Sequence, residues 1–303
     1  MEFKKYQHIE RYGTTDETDG IESGRCYIFP KIDGTNSQVY LRDGIVRAGS
    51  RPRELTLEKD NENFYCNILR NENIAKFLND YPQYRLYGEY LTKHIIRTYN
   101  QNAWRKFYVF DVCEDADNPS GVRYLTYEEY APLLEKYNIN YIPCIGIVEN
   151  GTLDDFAAYL DKNTYLIRDG AGVGEGIIIK NYEFHNKYGR QTWAKIVTSE
   201  FKSKKVTGLT DAEKAGTEER IIFDYCTEAF ILKEYDKIVG TLGREAERSD
   251  IPKILGTIYK TLIQEEMWHI VRKYKNPTID FARLQGMVTN EIKAVIPNLF
   301  DKT

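Results

Sequence analysis

The 303-residue sequence is poor in cysteine and histidine and contains no long hydrophobic run. Its five cysteines are widely spaced and no Cys-x-x-Cys pair occurs, so neither a disulfide framework nor a zinc site is indicated. The four histidines are equally scattered and include no His-x-x-x-His pair. No apolar stretch reaches the roughly 18 residues that span a bilayer. The opening residues, Met1 to Lys5, lack the apolar segment of a signal peptide, and we therefore expect a soluble cytoplasmic protein.

The sequence also lacks an excess of positive charge. Its formal net charge is −4, which argues against indiscriminate nucleic-acid binding but leaves room for a local basic surface. Acidic side chains are concentrated in residues 1–200, where 30 of them accompany 25 Lys and Arg, whereas residues 201–303 carry 16 and 17. A metal-dependent site is therefore expected in the first two thirds of the chain.

The sequence does contain a large apolar fraction, 42 %, arranged with two different periodicities. Up to about residue 205, short aromatic and β-branched runs predict strands, and Arg42-Asp43-Gly44 predicts a hairpin turn. The predicted strands are residues 27–30, 37–41, 45–47, 85–91, 106–112 and 177–179, with helices at 127–137 and 153–160. Beyond that point, helical spacing predicts helices over 217–239, 251–274 and 281–296. The pattern indicates an α+β domain over residues 1–205 and a smaller all-helical domain over residues 206–303.

Several charged residues lie within these apolar strands or border them. They are Lys31, Glu89, Asp111, Glu175 and Lys195. An unpaired charge among apolar neighbours is costly, so such residues persist when they hold a metal ion, a lysine or a ligand. Each one taken alone fits a salt bridge at a strand end equally well, and Lys-x-Asp-Gly alone is a common turn sequence. Five such residues in series favour a functional site.

The order of the motifs around these residues is distinctive. Lys-x-Asp-Gly at 31–34 is followed by Ser-Arg at 50–51, Gly-Glu at 88–89, Phe-Asp at 110–111 and Glu-Gly-(apolar)₃-Lys at 175–180. This order resembles that of the covalent nucleotidyltransferases, which are the polynucleotide ligases and the mRNA capping enzymes. Within that group, residues 3 to about 205 are most similar to the nick-sealing RNA ligase family of phages and of kinetoplastid RNA editing. The features shared with that branch are Phe3-Lys4-Lys5-Tyr6, Lys31-Ile32-Asp33-Gly34-Thr35-Asn36, Phe107-Tyr108-Val109-Phe110-Asp111, and Phe201 six residues beyond Lys195.

The resemblance implies an antiparallel-sheet nucleotidyltransferase domain of the ATP-grasp-like ligase type, followed by a helical domain. It also implies that Lys31 attacks the α-phosphate of ATP, forming lysyl-AMP and releasing pyrophosphate. The AMP then passes to an RNA 5′-phosphate, and an RNA 3′-hydroxyl attacks that phosphate and expels AMP. Lys31 must lose its proton to attack, which a nearby divalent metal ion and a second lysine favour. The implied cofactors are ATP and Mg²⁺ or Mn²⁺, and the implied partner is RNA with 3′-hydroxyl and 5′-phosphate ends.

The resemblance also implies roles for individual residues. Glu89 would bind the ribose, Phe110 would stack on the adenine, and Lys195 would contact the α-phosphate. Glu175 and Asp111 would hold the metal ion, since hard carboxylate oxygens suit magnesium and manganese. Asp111 follows Phe110 in a strand and is expected to point to the other side. The remaining implied ligands are Asn36 and Arg51 for the reacting phosphate or the 3′ end, Lys180 for the nucleotide, and Lys202 and Lys204 for the RNA backbone.

The sequence departs from the family pattern at two positions. Many relatives carry Lys-x-Lys in the last motif, whereas Val197 stands two residues after Lys195. The other register, Trp193-Ala194-Lys195, also lacks a second lysine. The missing phosphate contact would then come from Lys180, Lys202 or Lys204. Pro30 stands where close relatives often have an acidic side chain near the base, so adenine recognition is expected to rest on backbone groups.

The sequence also offers three other interpretations. The glycine-rich segment 170–176 has Glu175 in place of the last glycine of a dinucleotide motif, and a strand follows instead of a helix, so we interpret it as a flexible approach to the metal-binding strand. An ATP-dependent DNA ligase is an alternative, against which the lack of a β-barrel pattern after residue 205 counts. A ligase-derived RNA-binding protein without activity is suggested by Val197, but Lys31, Glu89 and Glu175 argue against it.

Overall fold

The computed structural model describes residues 1–92, 98–198 and 216–300. These residues belong to two compact units. One consists of residues 1–92 and 98–197, and the other, in its described part, of residue 198 and residues 216–300. The domain boundary predicted near residue 205 lies outside the described residues.

The first unit contains two five-stranded sheets. In spatial order, the first sheet consists of β1 (Glu10–Arg11), β10 (Ala194–Val197), β9 (Gly176–Lys180), β2 (Arg25–Lys31) and β8 (Gly146–Glu149). All neighbours are antiparallel except β1 and β10. The strands predicted from the apolar runs at 27–30 and 177–179 are therefore direct neighbours in this sheet.

The second sheet is antiparallel throughout. In spatial order, it consists of β4 (Ile45–Ser50), β3 (Thr35–Arg42), β5 (Tyr84–Tyr90), β6 (Phe107–Asp115) and β7 (Val122–Tyr124). The predicted hairpin is confirmed, because β3 and β4 are joined at Asp43 and Gly44, whose φ angles are +53° and +72°. Positive φ at both central residues gives the turn whose twist matches that of the flanking strands.

Four helices of the first unit are α1 (Phe64–Leu69), α2 (Glu72–Asp80), α3 (Tyr127–Lys136) and α4 (Leu153–Ala157). The first three pack on the second sheet around fully buried residues such as Val39, Phe77, Leu86, Tyr130 and Leu134. Helix α4 ends at Ala157 and is therefore shorter than the predicted helix over 153–160.

Residues 32–34 connect the two sheets, because they link β2 of the first sheet to β3 of the second. Gly34 lies so close to β5 that a Cβ atom there would be 2.6 Å from the carbonyl oxygen of Tyr90 and 2.9 Å from Cγ of Glu89. Only glycine allows the chain to pass at this distance. This close passage places the end of β2, and with it Lys31, beside β5.

The second unit is helical in its described part. Its helices are α5 (Thr217–Tyr225), α6 (Glu228–Leu242), α7 (Ile251–Lys273) and α8 (Phe281–Val295). Buried aliphatic side chains from all four helices form its core, including Ile221, Ile231, Ile258, Leu284 and Val288. None of the helices in the described part of the chain combines the length and the hydropathy needed to cross a membrane.

The single helix predicted over 217–239 is in fact two helices. Helix α5 ends at Tyr225, and α6 begins after Thr227, whose side chain accepts a hydrogen bond from the Phe230 N–H at 3.2 Å. Apolar spacing continues through this break, which is why the periodicity alone predicted one helix, and a capping threonine supplies the break. The antiparallel sheets and the helices confirm the α+β class, while the predicted arrangement of two domains remains a prediction.

Candidate active site

Lys31 is the last residue of β2, and its side chain reaches Glu175. In the first sheet Lys31 lies opposite Gly176, so Glu175 immediately precedes its strand partner. The Lys31 Nζ atom lies 2.5 Å from Glu175 Oε2, and the two side chains are only 23 % and 11 % exposed. The structure thus brings together two residues that separate motifs had marked.

Glu89 lies in the same cluster, on β5 of the second sheet. Its Oε1 accepts a hydrogen bond from the Gly34 N–H at 2.9 Å, which connects it to the segment that follows Lys31. Burial, reinforced by the negative charges of Asp33 and Glu175, raises the pKa of Glu89 to about 8, although Lys31 and the Gly34 N–H act in the opposite direction. Glu89 therefore carries a proton at neutral pH when no ligand is bound.

This raised pKa predicts a specific dependence of stability on pH. The folded protein retains the Glu89 proton between the ordinary carboxyl pKa of 4.5 and about 8, whereas the unfolded chain loses it. The free energy of unfolding should therefore fall as the pH rises through this interval. We expect Glu89→Gln to be more stable than the wild type at pH 8.5 by on the order of 2–4 kcal/mol, with little difference at pH 4.5. Urea unfolding in EDTA measures this.

The matched control for that measurement is Glu245→Gln, which changes an exposed glutamate of the helical unit. Its difference from the wild type should stay constant with pH. A Glu89→Gln difference that is equally constant would contradict the raised pKa.

Asn36 lies beside Glu89 on the second sheet, and Arg51 lies just beyond the end of β4. Asn36 in β3 is directly opposite Glu89. Arg51 follows the last residue of β4, in the turn between the bridged residues Gly49 and Glu54. Its side chain is exposed, and its Nη2 lies 3.1 Å from His8 Nδ1. An exposed guanidinium has the planar donor geometry that phosphate oxygens accept.

Lys195 projects from the same face of the first sheet as Lys31. Lys195 lies opposite Ile178, which in turn lies opposite Phe29, two residues before Lys31. Directly opposite residues share a face, and so do alternate residues of one strand. By the same register, Val197 lies opposite Gly176 and shares this face. An apolar side chain therefore stands next to the Lys31–Glu175 pair where a second lysine is expected.

Phe110 is half-buried and lies at a bulge in β6. The pairing of β5 with β6 shifts between Tyr87 and Gly88, which leaves Phe110 as the extra residue. The Tyr6 ring is 5.0 Å from the Phe110 ring, and the Tyr6 hydroxyl donates a hydrogen bond to Asp111 Oδ2 at 2.5 Å. One side chain thus contacts both residues. The expectation that Phe110 and Asp111 serve opposite sides is wrong, because a bulge interrupts the alternation of a strand.

Asp111 and Lys180 form a buried ion pair. Lys180 Nζ donates to Asp111 Oδ1 at 2.7 Å and to the Phe110 carbonyl oxygen at 2.5 Å, and Trp193 Nε1 donates to Asp111 Oδ2 at 3.3 Å. The two charged side chains are 0 % and 2 % exposed. Burial lowers the pKa of Lys180, and the Asp111 carboxylate opposes this shift.

These contacts correct two of the predicted roles. The structure does not bring Asp111 together with Glu175 as a second metal ligand, because its oxygens are occupied by a lysine, a tyrosine and a tryptophan. Lys180 is likewise committed to Asp111 and is too buried to replace the missing second lysine. Both residues instead support the backbone at Phe110. Lys202 and Lys204, for which RNA-backbone contacts were predicted, and the motif residue Phe201 lie outside the described residues.

Comparison with known proteins identifies the family. The family model described as RNA ligase matches residues 24–197, which include Lys31, Glu89, Glu175 and Lys195. The chain belongs to the RNA ligase family. No curated protein matches it.

Solved structures of an RNA ligase share the fold. The RNA ligase of Naegleria gruberi with PPi is 21 % identical, with a TM-score of 0.51, over 67 % of this chain and 58 % of that one. A mutant of the same ligase with ATP and Mn is 19 % identical, with a TM-score of 0.50 over the same shares, and another was solved with AMP and Mn. The chain therefore spans less than two thirds of the length of the Naegleria ligase.

The side chains around Lys31 fit the divalent metal ion that RNA ligases imply. Three carboxyl groups, Asp33, Glu89 and Glu175, lie close enough to influence one another around a single amine. Magnesium and manganese prefer such oxygen ligands and are held by one or two carboxylates plus substrate phosphates. In the described parts of the chain, the oxygen atoms of these three carboxyl groups do not all lie within 4.8 Å of one another. Glu175 would hold the ion, with room left for phosphate oxygens.

Two further residues contact this site without being marked by any sequence pattern. The Tyr99 hydroxyl accepts a hydrogen bond from the Asp33 N–H, and the Asn163 side chain donates one to the Gly176 carbonyl oxygen. Both residues stand in irregular segments, where no periodicity marks a buried side chain. The only signal was the presence of polar residues close to hydrophobic ones, which is too common to single them out.

Proposed function

We propose that this member of the RNA ligase family is an ATP-dependent RNA ligase. It joins RNA 3′-hydroxyl and 5′-phosphate ends through lysyl-AMP and RNA-adenylate intermediates. The observation that carries the proposal is the Lys31 amine at the end of a buried strand, 2.5 Å from Glu175 and beside Glu89, in a chain whose family match spans residues 24–197. The Naegleria ligase structures with ATP or AMP and Mn support the choice of nucleotide and of a divalent metal ion.

In the first step the deprotonated Lys31 Nζ attacks the α-phosphorus of ATP. A P–N bond forms while the P–O bond to pyrophosphate breaks. Glu175 orients the amine, since its carboxylate accepts the Nζ hydrogen bond. A divalent metal ion held by Glu175 would neutralise the charge on the phosphate oxygens. Lys195, on the same sheet face as Lys31, contacts the α-phosphate.

In the second step an oxygen of the RNA 5′-phosphate attacks the phosphorus of lysyl-AMP. The P–N bond breaks, which returns Lys31 as a free amine. In the third step the RNA 3′-hydroxyl oxygen attacks the adenylylated 5′-phosphate, and the bond to AMP breaks. Asn36, which lies opposite Glu89, and Arg51, in the turn after β4, would hold the reacting phosphate or the 3′-terminal nucleotide. Lys202 and Lys204 remain predicted contacts to the RNA backbone.

The nucleoside would lie between Glu89 and Phe110. A protonated Glu89 can both donate a hydrogen bond to a ribose hydroxyl and accept one from it. Phe110 is half-buried against Tyr6, so part of its ring surface is available for stacking on adenine. Pro30, opposite Ile177 in the first sheet, provides no acidic side chain for the base. The adenine edge is therefore expected to be recognised by backbone groups.

The test is end joining on a panel of 5′-phosphorylated substrates with ATP and Mg²⁺ or Mn²⁺. The panel contains nicked duplexes with an RNA or a DNA 3′ end, single-stranded RNA and broken tRNA. We expect joining where the 3′ end is RNA, and no joining by Lys31→Ala. Joining restricted to DNA 3′ ends would instead indicate a DNA ligase. RNA binding without joining and without a protein–AMP adduct would indicate a ligase-derived binding protein and overturn the proposal.

A further inference from the structure

Two irregular segments of the first unit pair with each other next to the Lys31 site. The Asn100 N–H donates to the Leu166 carbonyl oxygen at 2.8 Å, and the Arg168 N–H donates to the Thr98 carbonyl oxygen at 2.8 Å. Tyr99 and Ile167 face each other between these bonds as an antiparallel bridge. We call residues 98–100 and 163–168 the paired loops. Neither segment contains a residue of the nucleotidyltransferase motifs.

Tyr99 connects the paired loops to the residues that follow Lys31. Its hydroxyl accepts a hydrogen bond from the Asp33 N–H at 2.8 Å, two residues after Lys31. The side chain is only 2 % exposed, and the Trp104 ring packs against its ring at 5.5 Å. The hydrogen bond to Asp33 places the phenol on the side of the carboxyl cluster. Burial, together with the negative charges of Glu175, Asp33 and Glu89, raises the pKa of this phenol well above 10.

Asn163 connects the paired loops to the segment that carries Glu175. Its side-chain Nδ2 donates to the Gly176 carbonyl oxygen at 2.6 Å. Its main-chain carbonyl oxygen accepts a hydrogen bond from the Gly174 N–H at 2.7 Å. Glu175 is therefore fixed by hydrogen bonds on both sides in sequence. The Asn163 side chain is 1 % exposed and lies so close to the chain that a Cβ at Gly174 would be 2.4 Å from Nδ2.

We propose that Tyr99 and Asn163 are positioning residues that together fix the Lys31 amine relative to the Glu175 carboxylate. The proposal rests on the proposed function, because it concerns the lysine that is to receive AMP. Residues 32–34 and 170–175 lie outside the strand ladder at the point where β2 and β9 bring Lys31 and Gly176 together. Regular sheet hydrogen bonds therefore cannot fix these segments. One buried side chain on each paired loop supplies the missing hydrogen bond.

The consequence concerns the rate of lysine adenylylation and not the folding of the unit. A nucleophile displaced by about 1 Å from its attack position can lose on the order of 100-fold in rate. Tyr99→Phe removes one hydroxyl and keeps the buried ring. Asn163→Asp replaces the donating Nδ2 with an oxygen of nearly the same size, which repels the Gly176 carbonyl oxygen. Neither variant changes the chemical identity of the Lys31 and Glu175 side chains.

The first test measures adenylylation and sealing separately in the full chain. Lysine adenylylation is followed in a single turnover as transfer of label from ATP to the protein. Sealing is followed with RNA that already carries a 5′-adenylate, for which Lys31 is not the nucleophile. We expect Tyr99→Phe to slow adenylylation about 10-fold or more at saturating ATP, and to change sealing of adenylylated RNA less than about twofold. Tyr65→Phe, which also removes a buried tyrosine hydroxyl bonded to the main chain, at Val46, is the control and should change neither rate.

The second test follows the dependence on metal ion. Asn163→Asp moves the segment that carries Glu175, so we expect slower adenylylation and a half-saturating Mn²⁺ concentration raised about threefold or more, on the same scale of misplacement. Asn118→Asp is the control, since Asn118 Nδ2 also donates to a main-chain carbonyl oxygen, that of Val122. If Asn163→Asp does not fold, Asn163→Ser is measured instead, because serine is smaller than asparagine and its hydroxyl is also a hydrogen-bond donor.

The outcomes separate this inference from the proposed function. If the wild type forms no protein–AMP adduct, the proposed function fails. If the wild type is labelled and both Tyr99→Phe and the Asn163 variant are labelled at its rate, the positioning role is refuted. An equal loss of adenylylation and sealing, in proportion to the unfolded fraction in melting curves, would indicate a merely structural role. That outcome would also refute the positioning role. A selective loss of adenylylation supports the inference.

Discussion

Replacing Lys31 with alanine is expected to abolish the transfer of AMP from ATP to the protein. No other side chain at the end of β2 can form the P–N bond, and Glu175 would lose its ion pair with Lys31. With ATP labelled at its α-phosphate and Mg²⁺ or Mn²⁺, the labelled band should fall at least about 1000-fold, to background. Lys31→Arg should fail equally, because a guanidinium retains the positive charge but stays protonated. The two variants together separate the loss of a nucleophile from the loss of a charge.

The matched control is Lys76→Ala, which removes an exposed lysine from α2 and should leave labelling unchanged. Lys31→Ala should also retain part of its sealing activity on RNA that already carries a 5′-adenylate, since the lysine is not consumed in that step. Persistent labelling of Lys31→Ala, with the adduct on another lysine, would show that the nucleophile is assigned incorrectly. Loss of both activities together would point to a folding defect, which melting curves reveal.

The sequence predicted the strands near the site well, because the apolar runs are short and the hairpin turn has specific chemistry. Asp43 and Gly44 adopt the positive φ angles that their sequence favours. The helical unit was predicted less accurately. Apolar spacing continues across Cys226 and Thr227, so periodicity alone could not show that Thr227 caps a new helix. The cap is a hydrogen bond between the Thr227 side chain and the main chain, and only the folded structure shows that it forms.

The candidate site shows a similar division. Lys31 and Glu175 were marked by charge in apolar surroundings, and the structure joins them because Gly176 is the strand partner of Lys31. The expectation that Asp111 points away from Phe110 assumed regular alternation along β6, which the bulge at Phe110 interrupts. Tyr99 and Asn163 act through single hydrogen bonds to the main chain from irregular segments. Such contacts depend on long-range packing, which neither residue spacing nor residue type records.

The buried pair of Asp111 and Lys180 carries the second large expected effect, and it concerns stability. Lys180→Met removes the ammonium but leaves the carboxylate with no exposed surface among aromatic rings. Removing one partner of a buried ion pair costs about 3–5 kcal/mol, because the remaining charge loses its compensation without regaining water. We expect Lys180→Met to lower the free energy of unfolding by that amount. Urea unfolding followed by tryptophan fluorescence measures it, since Trp193, one of the three tryptophans, donates a hydrogen bond to Asp111.

The double variant Asp111→Asn/Lys180→Met distinguishes a buried ion pair from two independent contacts. Neutralising both partners removes the uncompensated charge, so the double variant should be more stable than Lys180→Met alone, and the two single losses should sum to more than the double loss. Additive losses would show that Asp111 and Lys180 stabilise the unit separately. Lys180 also donates a hydrogen bond to the Phe110 carbonyl oxygen. We therefore expect ATP to bind more weakly to Lys180→Met, even in buffer where that variant is fully folded, because the bulge that presents the Phe110 ring has lost this hydrogen bond.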